Sequence, residues 1–260
     1  MLAYISTFFI PYINTGDHWI IAFMGLGFPI LFFILLAFII LWLFLKSKLW
    51  ILSLIVLLLG FQQIKVAFAF NWPQKFVTQK SNNSIRILQW NLKGWDDYNP
   101  EIEDFDLSHS QRPEMMKLIK ESNADIICVQ EFYENLDQKN HHSNYKDLES
   151  FGYQYHVSST EFFDNAFYTG IAILSKHPIS DSAIIRFDKE SNEQSMVYAD
   201  IKIKGETIRV MTTHLQSVKF KPKDYESLSE LKRGKTKDIA APKQVLSKLK
   251  YGYENRYAQA

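Results

Sequence analysis

Cysteine is nearly absent from the 260-residue chain, which has only Cys128. That excludes an intrachain disulfide framework and any metal site built on several cysteines. Charge of one sign is missing too, since 29 Lys and Arg stand against 28 Asp and Glu. A net charge of +1 gives no support to a protein that coats nucleic acid. Internal repeats and low-complexity tracts are also lacking. The most informative absence is local. Residues 1–74 hold only four charged side chains, Asp17, Lys46, Lys48 and Lys65. A purely soluble protein is excluded by that stretch, and a purely integral one by the ordinary globular composition of the rest.

Two apolar runs follow from this imbalance. Residues 19–45 contain no charge, and as one helix they would reach about 40 Å, more than the roughly 30 Å of bilayer hydrocarbon. Gly25, Gly27 and Pro29 mark a point where this helix is expected to bend. The second run, 49–70, is interrupted only by Gln62, Gln63 and Lys65; Lys65 can snorkel and Trp72 suits an aromatic belt. Residues 1–13 are apolar but short, and read as either a clipped third span or an interfacial segment. A cleaved signal peptide is not expected, because no Lys or Arg precedes the run and the run is too long. Lys46 and Lys48 place their loop in the cytoplasm by the positive-inside rule, and Asp17 lies on the other side. Everything after about Asn71 is then extracytoplasmic, although Lys75 weakly opposes this. The expected organisation is a transmembrane helical region over 1–70, a linker over 71–84 and a soluble domain over 85–260.

The soluble half reads as mixed α and β. Strand-like runs occupy Ile85–Trp90, Asp125–Gln130, Tyr153–Val157 and Gly170–Leu174. Met115, Met116 and Ile119 give helical spacing to Arg112–Glu121, and Asn144–Phe151 reads as a short helix. Met196–Lys204 alternates cleanly, with Val197, Ala199, Ile201 and Ile203 on one face. Gly205 then makes a turn and Thr207–Thr213 returns as a hairpin partner. Helical spacing resumes from about Pro242. Residues 219–250 carry 10 Lys and Arg against 4 Asp and Glu. They read as a solvated face, or as a basic flap that meets phosphate or anionic headgroups.

Three polar residues stand directly after apolar strand runs: Asn91, Glu131 and His214. Strand ends let a rigid scaffold present groups to a shared cleft. An Asn carbonyl and a Glu carboxylate are oxygen ligands suited to a hard cation. A His beside such an ion can donate to a phosphate oxygen. Each residue alone also fits a turn, a solvated carboxylate or a satisfied strand-end group. His141, His142, His156 and His177 read as structural or solvated, and Cys128 as a buried inert thiol.

The surrounding residues carry a resemblance. Ile85-Arg-Ile-Leu-Gln-Trp-Asn91-Leu resembles the opening strand of the endonuclease/exonuclease/phosphatase superfamily, the deoxyribonuclease-I-like fold. Asp125-Ile-Ile-Cys-Val-Gln-Glu131 resembles its second motif, Tyr168–Ile179 its internal strand and turn, and Thr212-Thr-His214-Leu-Gln-Ser its third motif. Arg256-Tyr-Ala-Gln-Ala resembles the helix that follows. The order of spans and domain is similar to that of membrane-anchored bacterial members. This resemblance implies an α/β sandwich of two sheets and a phosphoric ester hydrolase dependent on Mg²⁺ or Mn²⁺. It implies Glu131 as the principal metal ligand, Asn91 as a metal and phosphate partner, and His214 as a stabiliser of phosphate charge. The implied partners are a lipid bilayer and a phosphate-ester substrate: nucleic acid, a phospholipid headgroup or a small phosphate ester. The family's Gly-Asp-Phe-Asn and Ser-Asp-His segments do not occur in the sequence. The domain is therefore expected to be incomplete at its C-terminal side, and the chain inactive or nearly so. The alternative is a non-catalytic membrane-anchored binding module or pseudoenzyme.

Overall fold

The computed structural model describes residues 1–13, 18–69, 72, 77, 79–96, 110–136, 143–187, 195–215, 220, 224–226, 229–230, 233 and 240–259. Its residues group into two units. One joins Met1–Lys75 with Gln216–Ala260, and the other is Phe76–Leu215. The C-terminal segment, read from sequence with the soluble half, thus groups with the apolar helices.

In the helical unit, α1 (Leu2–Ser6) runs into a 3₁₀ turn over Thr7–Tyr12. Then come α2 (Trp19–Leu26), α3 (Phe28–Phe44), α4 (Leu49–Leu59) and α5 (Phe61–Phe68). Neither expected span is one helix. Residues 19–45 break at Gly27, just before Pro29 opens the first turn of α3. Residues 49–70 bend by 60° at Gly60, between α4 and α5. There Tyr4 packs against the backbone, and a Cβ on residue 60 would lie 2.3 Å from its hydroxyl. Among the described residues no single helix is long and apolar enough to cross a membrane, while α4 and α5 meet the criterion only as a bent pair. Tyr4, Phe28, Leu35 and Val56 form this unit's buried core. Phe33, Leu58, Leu59 and many other apolar side chains are exposed, the pattern of helices that are hydrophobic all round.

The second unit contains β1 (Ile87–Asn91), α6 (Arg112–Ser122), β2 (Ile126–Asn135), α7 (Asn144–Ser150), β3 (Tyr155–Ser158), β4 (Phe162–Phe163) and β5 (Phe167–Ser175). The strands β6 (Ile179–Arg186), β7 (Ser195–Ile203) and β8 (Glu206–Thr213) follow. One sheet has the order β1-β2-β5-β3, with β4 also on β5; the other is β6-β7-β8. Among the described strands, only β1 and β2 pair in parallel. The expected α/β architecture with two sheets is present. The sequence resemblance implies a strand and following turn over Tyr168–Ile179; the structure adds β6 after the turn and the short β4.

Period-two alternation separates two cores. On β2 and β5, Ile126, Cys128, Ile171 and Ile173 face the second sheet and meet Val197, Ala199, Ile201, Ile203 and Val210. Their neighbours Ile127, Val129, Ala172 and Leu174 face the other way, onto Met115, Met116 and Ile119 of α6. The expected inward face of β7 therefore lies between the sheets. Burial of Cys128 pushes its thiol up to about 11, consistent with an inert group. The helix expected near Pro242 is α8 (Ala240–Gln259). Most of the basic stretch before it lies outside the described residues, as do His141 and His142.

Asp125 secures the entry to β2. Its carboxylate accepts from the Arg86 backbone N–H at 2.8 Å and from Lys80 at 2.6 Å, with His177 at 3.5 Å. Burial alone would raise its pKa, but the Arg86 N–H and the Lys80 ammonium outweigh it and hold the carboxyl below its ordinary value. This stabilisation is present above about pH 4 and is lost as pH falls through the lowered pKa. Asp125→Ala should lower the unfolding free energy of the full chain in detergent by about 2–3 kcal/mol in urea titrations. The difference from wild type should shrink in acid.

Candidate functional site

Glu131 interrupts the alternation of β2. The register between β2 and β5 shifts between Val129 and Phe132. Glu131 sits in that bulge with φ +51°, a left-handed backbone that non-glycine residues seldom adopt. Residues on both sides of it are buried, whereas the Glu131 side chain is 41% exposed. A bulge re-aims a side chain in this way, and it takes the carboxylate out of the sheet toward solvent.

Asn91 ends β1 beside it, opposite Gln130 in the parallel register. The Asn91 amide donates to Glu131 Oε1 at 2.8 Å. Its Oδ1 accepts the Lys93 backbone N–H at 3.0 Å. The chain then turns through Lys93, Gly94 and Trp95, all with positive φ. Trp95 anchors the turn, fully buried, with its ring edge-on to Phe132 at 5.9 Å. Lys93 and Trp95, two non-glycine residues with left-handed backbone beside a polar site, are local strain held by packing.

His214 follows β8 on the other sheet. Its Nε2 lies 3.4 Å from Glu131 Oε1, and its Nδ1 lies 3.8 Å from Glu161 Oε2. Glu161 precedes β4 and is 11% exposed in its side chain. Ser195 Oγ donates to Glu161 Oε1 at 3.3 Å. Glu161 raises the His214 pKa most; burial opposes it, and Glu131 adds a smaller raising effect. The imidazole thus bridges two carboxylates and favours its charged form.

The structure therefore brings Asn91, Glu131 and His214 together. It adds Glu161, which sequence reasoning missed. Glu161 lies in a short polar loop between two edge strands, where a carboxylate carries no pattern. The local cue in the sequence is Gly170, at the head of the apolar run Gly170–Leu174. A Cβ there would lie 2.1 Å from the Ser159 carbonyl oxygen, and this approach sets the loop that carries Glu161. His156 lies elsewhere, stacked on Tyr145 at 4.1 Å, and His177 serves Asp125.

The donor set suits a small hard cation in part. Glu131 offers an exposed carboxylate and Asn91 a carbonyl oxygen with a second lone pair. Among the described residues no group of three or more His, Cys, Asp and Glu could hold a metal ion. An ion here would keep water or substrate oxygens, which is how Mg²⁺ is commonly bound. His214 should titrate above the ordinary histidine value of about 6.5. Replacing Glu161 by Gln should bring it down, as followed by NMR of histidine-labelled full chain in detergent. An unmoved titration would separate Glu161 from the site.

No curated protein matches this chain. An endonuclease/exonuclease/phosphatase from Beutenbergia cavernae is similar at 15% identity and TM-score 0.39, over 51% of this chain and 38% of that one. A family protein from Leptotrichia buccalis gives 15% and 0.37, over 64% and 73%. Sphingomyelinase C from Streptomyces griseocarneus gives 16% and 0.37, over 52% and 50%. The chain thus spans well under half of the Beutenbergia protein. Residues 1–67 match a domain of unknown function, DUF8431. Residues 88–211 match the Endonuclease/Exonuclease/phosphatase family, and the matched stretch includes Asn91, Glu131 and Glu161 and ends three residues before His214.

Proposed function

We propose that this protein is a membrane-anchored, divalent-metal-dependent phosphoesterase with its α/β unit outside the cytoplasm. One observation carries the chemistry. Asn91, Glu131, His214 and Glu161, from four separate segments, converge within 2.8 to 3.8 Å contacts at one edge of the paired sheets. Structural ion pairs do not need a bulge, three left-handed residues and an exposed carboxylate at one point. The family match supports the reaction class.

In this reading Glu131 and Asn91 hold Mg²⁺ or Mn²⁺, the carboxylate supplying the charge. The ion, when bound, polarises a phosphoryl oxygen and steadies the leaving oxygen. His214 carries its proton on the ring, because Glu161 lies against Nδ1. Its Nε2 side, which faces Glu131, turns its positive charge and N–H toward a phosphate oxygen. Glu161 fixes the ring through Nδ1 and is itself fixed by Ser195. The site residues do not select between nucleic acid, a phospholipid headgroup and a small phosphate ester.

The membrane part rests on 74 residues with four charges and on exposed apolar helices. The breaks at Gly27 and Gly60 are compatible with a helical pair that does not run straight through the bilayer. Lys46 and Lys48, set against Asp17, support the orientation. A reporter fused after Ser84 should be active outside the cytoplasm. Activity of a cytoplasmic reporter there would reverse the topology.

Residues 1–260 contain no Gly-Asp-Phe-Asn or Ser-Asp-His segment, and for these residues taken alone the second reading is a binding module or pseudoenzyme. Positioned acid-base help is typically worth about 10²–10⁴-fold, so residues 1–260 are expected to show low turnover. Any Mg²⁺-dependent hydrolysis of plasmid DNA, a phosphodiester chromogen or sphingomyelin should be abolished by Glu131→Gln. Asn91→Ala and His214→Ala should each reduce it by roughly 10²-fold. Hydrolysis that survives Glu131→Gln at limiting Mg²⁺ would remove the catalytic reading.

A further inference from the structure

The site is assembled from two sheets, and most of what joins them is apolar. Ile126, Cys128, Ile171 and Ile173 meet Val197, Ala199 and Ile201 without a directional bond. Such packing fixes how far apart the sheets lie but resists sliding only weakly, because the hydrophobic effect is non-directional. Yet Glu131 belongs to one sheet and His214 follows the other, and they must keep a 3.4 Å relation.

One buried polar bond crosses next to both. Gln130 Nε2 donates to Thr212 Oγ1 at 2.6 Å, and both residues are buried. Gln130 is the residue before Glu131, and Thr212 is two before His214. Gln130 also holds β1, because its carbonyl oxygen accepts the Leu92 N–H at 2.9 Å and it stands opposite Asn91. Thr212 is fixed in turn, paired with Val197 in the β7–β8 register. This bond therefore ties β1 and β2 directly to β8 at the level of the site, while the Ser195–Glu161 bond ties β7 to the loop before β4.

We propose that Gln130 and Thr212 are a positioning pair whose hydrogen bond sets the spacing between the Glu131–Asn91 half of the site and His214. The inference rests on the site assignment made above, but it concerns residues that touch neither ion nor substrate. A buried amide and hydroxyl are costly unless paired, and an apolar pair would fill the same space between the sheets. What the polar pair adds is direction, since hydrogen bonds weaken steeply off line.

Mn²⁺ bound at Glu131 broadens NMR signals of nearby protons with a steep distance dependence, and so reports the spacing without any turnover. The full chain in detergent, labelled on histidine, is titrated with Mn²⁺, and free Mn²⁺ is followed by electron paramagnetic resonance. Wild type should show broadening of the His214 ring signals that Glu131→Gln abolishes. Thr212→Val and Gln130→Met should reduce that broadening by more than half at unchanged Mn²⁺ affinity. Thr212→Ser, which restores the hydroxyl, should retain it. A purely structural role would not separate spacing from affinity or be rescued by Ser. Broadening of wild-type strength in Thr212→Val and Gln130→Met would overturn the positioning role alone. Absence of Glu131-dependent broadening in wild type would overturn the site assignment, and the pair with it.

Discussion

Strand β2 is buried on both faces, and the structure depends on that constraint. Its alternate side chains enter two different cores, one beneath α6 and one between the sheets. A one-residue slip would exchange every side chain between them, so the register is tightly held. Against that background Glu131 can reach solvent only by leaving the alternation. The bulge allows this at the cost of a left-handed backbone. The candidate chemistry thus sits at the one position where the central strand departs from its packing rule.

The remaining site residues approach this point from separate elements. Asn91 comes from the parallel neighbour, His214 from the end of the second sheet and Glu161 from the loop before β4. Glu161 supports the charged form of the imidazole from one side while Glu131 faces it from the other. The balance is not symmetric. Glu161 is nearly buried and tied to Ser195, whereas Glu131 is open. A cation could therefore engage Glu131 without the His214–Glu161 contact being given up.

Strongly periodic segments were legible in the sequence. The inward face Val197, Ala199, Ile201 and Ile203 lies between the sheets, and Met115, Met116 and Ile119 are the buried face of α6. Asn91, Glu131 and His214 stood out because each follows an apolar run, and the fold brings those run ends together. What was not legible has no sequence period. β6 is an edge strand, mostly exposed, held by backbone pairing to β7. Glu161 gains its place through a loop, and the bulge at Glu131 is a backbone event. In 19–45 the expected bend falls at Gly27, whereas 49–70 reads as one span because composition does not register a packing demand. At Gly60 that demand is the Tyr4 ring.

The central claim is that Glu131 and Asn91 form a divalent-cation site facing His214. Anomalous diffraction from crystals of the full chain grown with Mn²⁺ tests it most directly. A single strong peak bonded to the Glu131 carboxylate, on the side of the Asn91 carbonyl, is the predicted result. Fully occupied Mn²⁺ elsewhere in the α/β unit, with none at Glu131, would contradict the account.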